Sequence, residues 1–102
     1  MIFHIAKTDE WKSSYDKQEY IPHDYEKEGF IHCSYARQLN DVITRYYKNE
    51  KAVYILSIDE KMLLPELRIE HSDSINDDFP HIYGPLNKDS VVSFEKRIIK
   101  EG

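Results

Sequence analysis

Three of the five histidines lie in short apolar segments of the kind that form β-strands. His4 occurs in FHI, His32 in GFIHCS and His81 in FPHIYG. An imidazole can donate a hydrogen bond from one ring nitrogen while it accepts one at the other, and its pKa lies near neutrality. Such side chains can hold the hydroxyl groups of a ligand or transfer protons, so their repeated placement in strands predicts a functional site.

The two-residue repeat of a strand predicts which neighbours each imidazole has. Residues i and i+2 share a face, so His32 is expected beside Ser34, and His81 beside Tyr83. Cys33 should then point the opposite way, into the core, where a thiol is a small inert hydrophobic group and not a nucleophile. We therefore expect the imidazoles of three strands to face one cleft, although any one of them taken alone is more often structural.

A metal site is an alternative use of the same residue types. The three strand histidines, together with Glu70 or Asp78, would supply ligands for a hydrolase centre with an open position. Their spacing matches no ligand motif, and the sequence has no H-x-x-x-H pair. The acidic residues between 70 and 78 also lack the glycine and the ligand spacing of an EF-hand loop. No metal is expected, and a histidine-based metal hydrolase is the less favoured alternative.

Length and composition restrict the class of protein. The 102 residues suffice for one domain, residues 1–102. A net charge of −5 without a basic, aromatic-rich stripe argues against extended nucleic-acid binding and against an anionic membrane surface. No apolar run is long enough to cross a bilayer and the N-terminus has no signal-peptide pattern, so a cytoplasmic location is expected. With only three glycines, the chain cannot build the common phosphate-binding loops.

The first third of the sequence predicts a strand, a helix and an extended segment. Residues 2–6 form an apolar strand, and Thr8 is placed to cap a helix that ends near Lys17. Residues 20–22 are expected to be extended, because the position before a proline avoids the helical region. Residues 23–29 should form a polar turn that ends in glycine.

The remainder predicts one long helix among strands. A strand over residues 30–34 leads into a helix at 35–48, which Ser34 would cap and whose apolar stripe recurs every three to four residues. Residues 52–58 are nearly all apolar and are typical of a central strand covered on both faces. A helical turn is expected at 59–64. Three further strands should follow, at residues 67–69, 79–83 and 91–98. This order predicts an α+β domain with a small, mostly antiparallel sheet and two helices in its N-terminal half.

The sequence resembles the bacterial domain-of-unknown-function family 952 over nearly its whole length. The matching segments are FHI, the tryptophan that follows it, EGFIHCS, an Ile-Asp pair after the long apolar strand, a later glutamate and FPHIYGPL: residues 3–5, 11, 28–34, 58–59, 70 and 79–86. This family is similar to the ADP-ribosyltransferase superfamily, which includes the tRNA 2′-phosphotransferases. The resemblance therefore implies an ADP-ribosyltransferase-like fold.

The resemblance also implies roles for particular residues. In those enzymes a strand carries His-Gly-Thr or His-Gly-Ser; the histidine holds the ribose beside nicotinamide, and the backbone of the next residue grips the carboxamide. His32-Cys33-Ser34 resembles this element, with cysteine where glycine is usual. The candidate catalytic residues are His32, Glu70 and His81. The candidate ligand-binding residues are His4, Ser34, Tyr83 and Arg45, and the possible pyrophosphate partners are Arg37, Arg45 and Arg68.

These features predict a domain that binds NAD or a related nucleotide and acts as an ADP-ribosyltransferase-like glycosyl-transfer enzyme. The alternative is a non-catalytic domain that binds a small ligand or another protein, because Cys33 replaces the superfamily glycine. The sequence predicts neither the acceptor of a transferred group nor the oligomeric state.

Overall fold

A three-stranded antiparallel sheet has the most apolar segment of the chain at its centre. In the computed structural model, which describes residues 1–100, β4 (Ala52–Ile58) pairs with β1 (Ile2–Lys7) on one side and with β8 (Val91–Ile98) on the other. Leu56 belongs to one buried cluster and Val53 to another. The alternating side chains of β4 therefore have apolar neighbours on both faces, and the prediction of a central, doubly covered strand is confirmed.

A second antiparallel sheet contains two of the three strand histidines. Its strands are β3 (Ile31–His32), β5 (Glu66–Ser72) and β6 (Asp77–Tyr83), with β6 in the middle. The hairpin of β5 and β6 extends beyond the strands predicted at 67–69 and 79–83, because pairing continues as far as Ser72 and Asp77. The turn that remains is short, and Asn76 closes it with a φ of 59°.

Two short connections hold these sheets together. Phe3 of β1 and Ser34 exchange both main-chain hydrogen bonds, at 2.9 and 2.7 Å. A two-residue strand β2 (Glu19–Tyr20) pairs with β7 (Leu86–Asn87). All pairings described here are antiparallel.

The helices are shorter and more numerous than predicted. α1 (Thr8–Lys12) ends five residues before Lys17, since the hydroxyl groups of Ser13 and Ser14 donate to the carbonyl groups of the preceding turn. Residues 23–29, predicted as a turn, contain a second helix, α2 (Asp24–Glu28), which ends at a left-handed Gly29 with φ of 83°. The described residues therefore have three α-helices in the N-terminal half, and not two.

The predicted helix at 35–48 divides into a 3₁₀ turn (Ala36–Gln38) and α3 (Leu39–Tyr46). Ser34 does not cap it, because its main chain is paired with β1. The side chain of Gln38 closes the start instead, by accepting a hydrogen bond from the Tyr35 amide at 2.9 Å.

The core consists of two apolar clusters on either side of the first sheet. Trp11, Tyr20 and Ile82 belong to the larger cluster, while Leu39 and Ile43 of α3 pack in the smaller one. The architecture is thus a small α+β domain with mostly antiparallel strands, as the element order predicted. Within residues 1–100 no helix is long and apolar enough to span a membrane.

Candidate functional site

One face of the second sheet places the strand histidines side by side. His32 of β3 lies directly opposite His81 of β6, and His81 lies opposite Arg68 of β5. The two imidazole rings meet edge to face, with centroids 5.2 Å apart. Two of the three predicted imidazoles therefore share a face, as the strand repeat indicated.

Phe30 forms the centre of this face and was not among the predicted site residues. Its ring stacks on His81 at 4.1 Å and 20° and meets the ring of His32 at 4.7 Å. Tyr83 is the next ring, 5.4 Å away. The signal was present in the sequence, because Phe30 precedes His32 by two residues and must share its face. We refer to Phe30, His32, Glu70, His81 and Tyr83 as the histidine cluster.

Glu70 of β5 is held by two donors of the cluster. His81 Nδ1 donates to Glu70 Oε1 at 2.8 Å, and the Tyr83 hydroxyl donates to the same oxygen at 2.5 Å. These bonds favour the ionised carboxylate, so the Tyr83 hydroxyl and then His81 lower the pKa of Glu70. Because both donors converge on Oε1, Oε2 is left clear of them and can interact with a ligand.

The same bonds indicate where His81 and Tyr83 carry their hydrogens. A carboxylate only accepts, so His81 carries its hydrogen on Nδ1, and Nε2 of the neutral ring is an acceptor. The hydrogen bond to Glu70 raises the pKa of Tyr83, which keeps the hydroxyl protonated at neutral pH. Arg68 covers the Tyr83 ring at 4.3 Å and pairs with Glu66 at 2.7 Å.

His32 is the most accessible imidazole of the cluster. Its side chain is 57% exposed, and Nε2 lies 3.6 Å from a carboxylate oxygen of Glu28. Partial burial, and then the neighbouring His81, lower the pKa of His32, so the ring is neutral at pH 7. A neutral, accessible imidazole can exchange hydrogen bonds with a ligand hydroxyl.

His4 occupies a different position from the predicted one. It lies in the first sheet and is 5% exposed, and its Nδ1 donates to the His32 carbonyl at 2.6 Å while Nε2 accepts from the Tyr20 hydroxyl at 3.0 Å. Burial lowers the pKa of His4 to about 4. Since protein groups engage both nitrogens, His4 does not face the cleft as a third ligand-binding imidazole and acts on the site through the backbone of β3.

The other predicted ligand-binding residues lie outside the cluster. Ser34 is buried, and its main chain pairs with β1. Arg45 forms an ion pair with Asp41 in the preceding turn of α3, at 2.8 Å, and contributes to none of the cluster's bonds or ring contacts. Arg37 likewise pairs with Asp77, at 2.7 Å.

Cys33 is part of the core, as the strand repeat predicted. Its side chain belongs to the larger apolar cluster, and burial raises the pKa of the thiol, which makes it a poor nucleophile. Its amide donates to the Pro80 carbonyl at 2.9 Å in the sheet. No group of three histidine, cysteine, aspartate or glutamate side chains in residues 1–100 has a geometry that could hold a metal ion.

Comparisons with known proteins show relationship and fold. The sequence model of a family described as "Protein of unknown function (DUF952)" matches residues 5–94. The crystal structure of protein CC0527 from Caulobacter crescentus is similar with a TM-score of 0.83 and 23% identity, over 93% of this chain and 83% of that chain. A double mutant of the same protein gives a TM-score of 0.82 and 22% identity over the same shares. No curated protein matches the sequence significantly.

Proposed function

The chain belongs to the DUF952 family of proteins of unknown function, and we propose that its histidine cluster binds NAD or a related nucleotide and transfers the ADP-ribosyl group of that ligand. Glu70 is the observation that carries the proposal. The ionised carboxylate is fixed through Oε1 by two donors, and neither of these donors engages Oε2. Fixed negative charge of this kind stabilises the positive charge that develops when a glycosidic bond breaks.

The proposed reaction needs neither a metal nor a covalent protein intermediate. The bond between ribose C1′ and the nicotinamide nitrogen breaks, and its electron pair stays with the leaving nicotinamide. Glu70 Oε2 stabilises the resulting oxocarbenium ion, and a lone pair of the acceptor then forms the new bond to C1′. The acceptor's proton passes to His81 Nε2, which is oriented for this role because Glu70 holds Nδ1.

The remaining cluster residues would position the ligand. His32 would hold a ribose hydroxyl, since its ring is accessible and neutral. Phe30 and Tyr83 supply adjacent ring surfaces for a planar or apolar part of the ligand. Arg68 is the nearest arginine to these rings and is the candidate for a phosphate contact.

The test combines a ligand titration with an activity measurement. NAD at millimolar concentration should shift the imidazole resonances of His32 and His81, and nicotinamide should be released above background. Glu70→Gln removes the charge but keeps the shape, and should lower the release rate by about 100-fold while NAD still binds. The matched control is Glu95→Gln, an exposed carboxylate on β8 that pairs with Arg97 and should leave the rate unchanged.

A second candidate function is non-catalytic binding of a small ligand, and the Cys33 amide favours it. In the enzymes that this chain resembles, the backbone at that position grips the nicotinamide carboxamide. Here the Cys33 amide already donates a hydrogen bond to the Pro80 carbonyl. Under this alternative a nucleotide binds, nicotinamide release stays at background, and His32→Ala changes affinity alone. Histidine resonances that do not move at millimolar NAD would contradict nucleotide binding under both candidates.

A further inference from the structure

A small pocket adjoins the histidine cluster and shares His32 with it. The pocket has a volume of about 40 Å³ and lies where β1, α2 and the end of α3 meet. Its lining includes His4 and Tyr20, which are both buried, and the half-buried rings of Phe30 and Tyr47. We refer to this cavity as the α2 pocket.

We infer that the α2 pocket binds a small organic cation, the ammonium or guanidinium head group of a larger ligand. The first support is the aromatic lining. The faces of phenyl and phenol rings carry negative electrostatic potential and attract cations that come within about 6 Å of the ring centre. Phe30, which precedes β3, and Tyr47, which follows α3, supply two such rings, and both line the same small volume.

The second support is the charge of the lining. Two carboxylates, Glu10 and Asp24, line the pocket, whereas Lys7 is the one lysine or arginine among the lining residues. Glu10 accepts a hydrogen bond from the His23 amide at 2.7 Å. Because this amide is neutral, the bond does not cancel the negative charge of Glu10. His32 adds no positive charge at neutral pH, because its pKa is lowered. The lining therefore has net negative charge.

The two carboxylates also influence the pKa values of other lining residues. Burial raises the pKa of Tyr47 to about 12, and Asp24 and Glu10 add to this rise. Asp24 also raises the pKa of His32, against the larger effects of burial and His81. The carboxylates thus act electrostatically on two other residues that line the cavity, Tyr47 and His32.

The size of the cavity suits a small head group. Its volume of about 40 Å³ exceeds the roughly 10–15 Å³ that one enclosed water molecule needs, so the pocket has space for a group larger than a single water. An ammonium or guanidinium head group is of this small size. Because His32 lines both the pocket and the histidine cluster, the rest of such a ligand would extend across the cluster. The inference does not depend on ADP-ribosyl transfer.

The experiment is a titration of the full chain with methylammonium and methylguanidinium chloride, at constant ionic strength and without NAD. Amide and imidazole resonances around His32 and Tyr47 should shift and saturate with at least one cation, and comparison of the two cations identifies the preferred head group. Methylurea, a neutral analogue of similar shape, should produce no saturable shift. Saturable binding of methylurea with equal affinity would overturn the inference, as would cations that shift none of these resonances.

Charge variants test whether cation binding depends on the negative charge of the lining. Asp24→Asn should weaken cation binding by about fivefold, and Lys7→Gln should strengthen it by about threefold, since each changes one charge at the cavity. Glu26→Gln and Lys27→Gln are the matched controls, because these exposed residues lie on α2 outside the lining. Equal effects from Asp24→Asn and Glu26→Gln would mean nonspecific attraction and would also overturn the site. The titration contains no nucleotide, so its failure is distinguishable from failure of the proposed transfer activity.

Discussion

His4 is the residue whose role in the structure differs most from the role that its sequence context predicted. Its placement between two apolar residues predicted a ring in the cleft, yet the structure has it buried between β2 and β3. The His32 carbonyl only accepts, so His4 carries its hydrogen on Nδ1 and Nε2 accepts from Tyr20. One ring in one tautomer thus satisfies two buried groups, and it fixes the strand on which His32 is carried.

A double-mutant cycle tests this role of His4. His4→Phe keeps a ring but leaves the His32 carbonyl and the Tyr20 hydroxyl without their partner, and should lower the free energy of unfolding by about 3 kcal/mol. Tyr20→Phe removes one hydroxyl and should cost about 1 kcal/mol. Because His4 and Tyr20 share a hydrogen bond, the double variant should lose less stability than the sum of the two single losses. Urea denaturation measures all three, and strictly additive losses would contradict the coupling.

At the scale of elements, apolar runs and alternating patterns in the sequence were better guides than capping signals. The strand at 91–98 has the predicted bounds, and the strand at 52–58 also does. Helix ends differed because Ser13 and Ser14 bond back to the main chain of α1, a choice that local sequence leaves open.

The candidate site shows the same division between local and non-local information. Alternation predicts that His32 and Phe30 share a face, and equally His81 and Tyr83. It does not say that β3 pairs with β6 in the register that sets His32 opposite His81. That register depends on pairing between segments almost 50 residues apart, which only the folded chain defines.

Two glycines at element ends provide a contrast that tests the packing of the second sheet. At Gly84, φ is 156° and an added Cβ would lie 2.7 Å from Pro65 Cβ, whereas Gly29 has φ of 83° and no atom within 4 Å of such a Cβ. Gly29→Ala should therefore cost about 1 kcal/mol from conformation alone. Gly84→Ala should cost about 3 kcal/mol, since backbone strain and overpacking add.

Urea denaturation compares the two glycine variants directly. Pro65 immediately precedes β5, so the crowding in Gly84→Ala should also move the strand that carries Glu70. The resonances of Tyr83 and His81 should shift in that variant and stay in place in Gly29→Ala. Equal stability losses with unchanged Tyr83 resonances would show that Gly84 is not required for packing against Pro65.

For the whole molecule, the first sheet supports the second through a few buried groups. The Phe3–Ser34 bridge and the His4 side chain both join β1 to the segment around β3. The histidine cluster is therefore attached to the central core by hydrogen bonds, one of which depends on a titratable ring. This arrangement makes the stability of the folded chain depend on pH.

Stability should fall on acidification between pH 6.5 and pH 4. His4 has a pKa of about 4 when folded, against 6.5 as its ordinary value, so the unfolded chain binds more protons in this interval. The free energy of unfolding is unaffected by His4 above pH 6.5 and falls by about 3 kcal/mol in total as the pH drops through the folded pKa. The lowered pKa of His32 acts in the same direction. His71 opposes this loss of stability. Its hydrogen bond to Asp78 raises the pKa of His71, so protonation of this ring favours the folded state.

Urea denaturation at pH 7 and pH 5 measures the dependence, with two variants to separate the histidines. His4→Phe should be less stable at both pH values but should lose about 2 kcal/mol less between them than the parent chain. His71→Gln should steepen the loss, since it removes the group that opposes it. An unchanged pH dependence in His4→Phe would contradict the assignment of the acid sensitivity to the buried ring. Because His4 is bonded to the His32 carbonyl, its protonation should also shift the β3 resonances before the rest of the chain unfolds.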